Sequence, residues 1–143
     1  MPGQTEIYYE HRISGVVMDG YVWFALKNPS DFPATMFWLS NGGRSAAPWN
    51  SRHTGRLGIV DGCSHFCDRV DISRKDLLRN LAIPTTRTFL PETPVTLLNI
   101  HAVVSCPNGF GKVVGISPNG NDEVTITDES GSSVSVGVDW TRL

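Results

Sequence analysis

Between Asn41 and His65 the sequence gathers groups that could recognise a small polar molecule. Trp49 lies among Arg44, Asn50, Arg52 and His53 in a stretch punctuated by Gly42, Gly43, Ser45, Pro48 and Ser51. The chemistry this composition fits is sugar binding. An indole face packs against the apolar C–H side of a pyranose, while amide, guanidinium and imidazole groups bond its hydroxyls. The bland alternative is an ordered surface loop with Trp49 tucked against the edge of the core.

Three other constellations are weaker. Cys63-x-His65-x-Cys67 spaces three potential zinc ligands two apart, and His53 or Asp61 could complete a tetrahedron. A structural zinc site usually has Cys-x2–4-Cys knuckles and a second pair, which is missing, so no metal is expected. Nor is a disulfide: in one extended strand the Cα atoms of Cys63 and Cys67 would lie about 13 Å apart, beyond the ~7 Å a bridge can span. A Cys63/His53 nucleophilic pair would need a lowered thiol pKa and a base within reach, and the sequence signals neither. Asn41-Gly42-Gly43-Arg44 has the adjacent glycines of a phosphate nest but not the Lys and Ser/Thr of a P-loop, so it reads as a tight turn.

The elements that must position these residues read as β. The chain has 143 residues, 40% hydrophobic and 18% charged, with 14 glycines and 9 prolines. That composition fits one turn-rich domain, 1–143, rather than a disordered chain or a helix bundle. A net charge of −2 offers no bulk attraction to nucleic acid or anionic lipid. The start of the chain shows no signal peptide, no apolar run reaches the ~20 residues of a membrane span, and three cysteines suit a reducing, cytoplasmic setting. Strands are expected from Glu6 to Arg12, from Ile13 to Met18 (with a bend at Gly15), and from Tyr21 to Leu26 after an Asp19-Gly20 hairpin. Thr35 to Ser40 and Leu57 to Val60 follow. Thr35 to Ser40 is apolar on both faces and should lie between layers. The one helix is expected from Ser73, as N-cap, to Leu81, with Leu77, Leu78 and Leu81 as its apolar stripe. Four further strands run from Val95 to Val104, Gly111 to Ile116, Glu123 to Thr127 and Ser133 to Val138, the last two alternating as half-wet strands do.

Several ordered motifs resemble one family. Phe37-Trp38-Leu39-Ser40-Asn41-Gly42-Gly43-Arg44, then Pro48-Trp49-Asn50-Ser51-Arg52-His53, then Leu57-Gly58-Ile59-Val60-Asp61-Gly62-Cys63-Ser64-His65-Phe66 resemble bacterial proteins similar to aldose 1-epimerases (galactose mutarotases). Leu81-Ala82-Ile83-Pro84-Thr85 and the closing strands also look like the end of those proteins. The likeness covers nearly the whole chain but only the C-terminal half of such a protein. It implies part of an antiparallel β-supersandwich, an aldose substrate and no redox cofactor. In that family a carboxylate takes the proton from the anomeric hydroxyl while a histidine protonates the ring oxygen. The usual His acids belong to the other half, and the position of the Glu base holds Val60. Asp61, its neighbour, and His53 are therefore the catalytic candidates. Arg44, Trp49, Asn50, Arg52 and His65 are the substrate-binding ones, and His53 matches a sugar contact better than a catalyst. The expectation is a carbohydrate-binding domain without the full catalytic machinery. The alternatives are an isomerase active as an oligomer and an orphan structural domain. Strands apolar on both faces, in half of a larger sandwich, point to a homodimer.

Overall fold

The computed structural model describes residues 7–10, 13–120 and 122–143. Glu6, His11 and Arg12, the ends of the first expected strand, lie outside them. The fold is mainly antiparallel β, as the sequence indicates, and the chain forms two compact units. One comprises residues 1–29 and 96–143, the other residues 30–95.

In the first unit a four-stranded sheet runs in the order β1 (Ile7–Glu10), β2 (Ile13–Met18), β3 (Tyr21–Lys27), β6 (Asn99–Ser105). A three-stranded sheet joins β7 (Val113–Asn119), β8 (Glu123–Asp128) and β9 (Ser133–Gly137) in sequence order. The core lies between them. Ile13, Val22, Phe24 and Leu26 from the first sheet meet Val113, Ile116, Val124 and Ile126 from the second, an arrangement like a sandwich. Alternation dictates this: β8 reads half-buried, buried, half-buried along its length, so Val124 and Ile126 face inward. Central strand β3 is buried on its second face as well, at Ala25 and Lys27.

Asp19-Gly20 makes the two-residue hairpin between Met18 and Tyr21 that its sequence demands. Gly15 does not bend the chain. It sits mid-strand between Tyr8 and Phe24, and a Cβ there would come within 3.1 Å of Ile116 Cδ1. The glycine lets the two sheets approach.

Asp128 ties the turn between β8 and β9. It is 2% exposed, and its carboxylate accepts from the Gly111 and Ser132 N–H groups and from the N–H and hydroxyl of Ser130, all within 2.9 Å. The Ser130 hydroxyl first, then the Gly111 amide, holds its pKa below the ordinary carboxylate value. A depressed folded pKa adds stability above the unfolded value of about 3.9, and that stability is lost as pH falls through the folded one. Asp128→Asn should therefore lower Tm by several degrees at neutral pH, with the gap to wild type closing below about pH 4. Thermal unfolding across pH checks this, and a gap independent of pH would contradict it.

In the second unit β4 (Ala34–Asn41) and β5 (Thr54–Gly62) form a long two-stranded hairpin. β4 is not buried on both faces as expected: Phe37 and Trp38 are each 41% exposed and Leu39 is 72% exposed. The helix is displaced too. Val70–Ser73 forms a four-residue α-helix, α1, and Arg79–Leu81 a separate 3-10 turn. Ser73 ends α1 rather than capping it. Its hydroxyl accepts the His65 N–H, and its carbonyl accepts the hydroxyl of buried Thr85, fixing the chain on both sides of α1. Of the expected stripe Leu77, Leu78 and Leu81, Leu78 is half-buried while Leu77 and Leu81 are 56% and 67% exposed.

Candidate functional site

The loop from Gly42 to His53 closes the β4–β5 hairpin and is tied by its own backbone. The Gly42 N–H donates to the His53 carbonyl, Ser51 to Arg44, Asn50 to Ala46, and Arg52 to Trp49. Gly42 has φ +83°, and a Cβ there would also meet the Ser51 carbonyl at 3.1 Å, so a side chain is excluded twice over. A bulge at Ser40/Asn41 re-aims the strand end just before the loop.

This closure brings Arg44, Trp49 and His53 together, and Trp38 and Ser40 join them from β4. The His53 ring stacks on Trp38 at 5.3 Å and 13°, and meets Trp49 edge-on at 5.5 Å. The Arg44 guanidinium carbon lies 5.9 Å from the Trp38 ring and 5.7 Å from that of Trp49, within cation–π range of both. Trp38 can lie flat because Gly58 stands opposite it: a Cβ on residue 58 would press on Trp38 Cε3 at 3.2 Å.

Ser40 fixes the histidine. Its hydroxyl donates to the His53 carbonyl at 2.6 Å and lies 2.6 Å from His53 Nδ1. A hydroxyl has one proton to give, so Nδ1–H must donate to Ser40 Oγ. The neutral ring is then the Nδ1–H tautomer, with Nε2 left as an acceptor.

Trp38, Ser40, Asn41, Arg44, Trp49 and His53 line a recess of about 100 Å3 along with Leu39, Gly42 and Gly43. No carboxylate is among them. Trp49 is 40% exposed, so part of its indole is open to a ligand.

The other expected site residues lie elsewhere. Asn50 and Arg52 are exposed in the loop but do not line the recess. Asp61 is at the far end of β5, roughly 25 Å from His53 at ~3.3 Å per residue, where it accepts the Thr35 hydroxyl at 2.6 Å. His65 lies beyond it. Its Nδ1 bonds Asp68 at 2.8 Å and its backbone N–H bonds Ser73, so it anchors the bend leading to α1 rather than edging the recess. Period-two spacing was the available signal for the missed pair, since it places Trp38 and Ser40 on one face of β4.

Cys63 and His53 are not brought together as a nucleophilic pair. Cys63 follows the strand that His53 precedes, roughly 30 Å away at ~3.3 Å per residue. Burial pushes its thiol pKa up, against the opposing pull of Arg87, and its Sγ–H donates to the Pro84 carbonyl. That is the reverse of an activated nucleophile. Residues 63–67 are bend and turn rather than extended strand, and all three cysteines are free thiols. Among the described residues no cluster of three or more His, Cys, Asp or Glu has metal-binding geometry. No helix there is long and apolar enough to cross a membrane.

Comparison with known protein families, with curated proteins and with solved structures finds no match, so the likeness to aldose 1-epimerases rests on the quoted motifs alone.

Proposed function

We propose that the tip of the β4–β5 hairpin binds carbohydrate without catalysing its isomerisation. The observation that carries this reading is the recess itself: half-exposed Trp38 and Trp49, with Arg44 and Asn41 as donors and His53 Nε2 as an acceptor, around one small concavity. At about 100 Å3 the recess is below the ~300–1,000 Å3 of sites that engulf a ligand. It suits one face or edge of a single sugar ring, with a Kd on the order of 1 mM. Catalysis of the aldose 1-epimerase type needs a base and an acid across one ring. His53 and Asp61 are too far apart to serve as that pair on one sugar. Calorimetric titration with a panel of aldoses and short oligosaccharides, together with a mutarotation assay, tests the proposal. Saturable binding with no acceleration of mutarotation supports it. No binding by any sugar, or clear acceleration, contradicts it.

A second observation favours self-association. On one face of the hairpin Leu39, the most exposed apolar side chain of β4, pairs with Leu57. We infer that a second copy covers it as a symmetric homodimer in a reducing, cytoplasmic setting. Sedimentation equilibrium at micromolar concentration should give about twice the 15.7 kDa of one chain, and Leu39→Asp should return the monomer. A wild-type monomer at all concentrations would defeat the dimer.

A further inference from the structure

The charge distribution of the second unit is lopsided. From Phe32 to Val60 the sequence holds Arg44, Arg52 and Arg56 and not one Asp or Glu, although the whole chain is net acidic. Of the other described arginines, Arg69, Arg79, Arg87 and Arg142 each bond an aspartate, and Arg74 does not. Arg44, Arg52 and Arg56 form no ion pair among the described residues. Arg56 stands opposite Ser40 in the strand register, on the same face as Trp38, and Arg52 immediately precedes His53. Arg44 is thus held over both indoles in the recess, while Arg56 shares the Trp38 face of the hairpin and Arg52 is exposed in the same loop. Among the described residues no acid pairs with these three arginines, which leaves that role to the ligand.

We infer that the recess selects an acidic sugar, one carrying a carboxylate on its ring as a hexuronate does. This rests on the carbohydrate reading above and names its ligand class. A guanidinium fork matches a carboxylate in two parallel bonds, and the indole faces still take the C–H side of the same ring. The local charge of three arginines acts over about 10 Å at 0.1 M salt, which spans the recess.

The test compares a galacturonate trisaccharide with its carboxyl-reduced, neutral counterpart by calorimetry on the intact chain. The acidic sugar is expected to bind about tenfold more tightly at low salt, and the preference to shrink as salt approaches 1 M. Arg44→Gln should remove most of that preference, and Arg56→Gln a smaller part, with circular dichroism unchanged. Equal affinity for the two trisaccharides overturns the acidic-sugar inference and leaves the carbohydrate reading standing. Failure of both to bind while another sugar of the panel binds overturns the acidic-sugar inference, and failure of every sugar overturns the carbohydrate reading itself. Tighter binding of a single-stranded oligothymidylate than of either sugar also overturns the inference, because the same arginines and indoles would then be serving a nucleic acid.

Discussion

Phe24→Ala lowers the stability of the first unit by about 3–5 kcal/mol. Phe24 is fully buried on central strand β3, between Gly15 on β2 and Ala102 on β6, and it faces the second sheet among Val22, Leu26 and Ile126. No neighbouring element can collapse into the space, because strands hydrogen-bonded on both edges cannot shift independently. The cost is therefore the lost transfer energy of the ring plus a residual cavity. Against a typical total of ~5–15 kcal/mol, this leaves the unit marginal. Urea unfolding followed by circular dichroism should show a large fall in midpoint with little change in slope. A loss under about 1 kcal/mol would mean that the sheets do not pack face to face through Phe24.

Trp49→Ala should abolish measurable sugar binding while leaving the fold intact. The indole is only part-buried and its loop is closed by backbone bonds, so truncation costs little stability. Its contribution to a weak site is proportionately large. A buried aromatic contact is worth ~0.5–1.5 kcal/mol beyond its area, and the lost contact area adds to that. Together these convert to a loss of roughly tenfold or more, which moves a millimolar site beyond calorimetric reach. His53→Ala should also weaken binding, since it removes both the Nε2 acceptor and the ring stacked on Trp38. Wild-type affinity in both variants would place the sugar site elsewhere.

The legible parts of the fold are those where one local rule decides. Asp19-Gly20 set a hairpin, and the Val124/Ile126 alternation set the inward face of β8, because turn chemistry and a period of two act over a few residues. The exposed run Phe37-Trp38-Leu39 was misleading, since apolar side chains on both faces do not say whether a second layer exists. The helix was misplaced because Leu77, Leu78 and Leu81 imitate a stripe over barely one turn. What fixes α1 is instead the pair of long-range bonds from Ser73 to His65 and Thr85, which no periodicity encodes. At the site, Arg44, Trp49 and His53 were legible because they share one loop between paired strands. Asp61 and His65 were close to them in sequence only; a nine-residue strand carries them to its other end. Trp38 and Ser40 were missed because they precede the loop, though the hairpin register puts them beside it.

The most direct test of carbohydrate binding at the hairpin tip uses the indole N–H signals of the 15N-labelled protein. The chain has four tryptophans: Trp38 and Trp49 lie at the recess, while Trp23 and Trp140 belong to the first unit. Titration with the tightest-binding sugar should move the Trp38 and Trp49 signals along saturable curves sharing one Kd and leave Trp23 and Trp140 in place. Shifts confined to Trp23 or Trp140, or no shift at saturating sugar, would contradict the account.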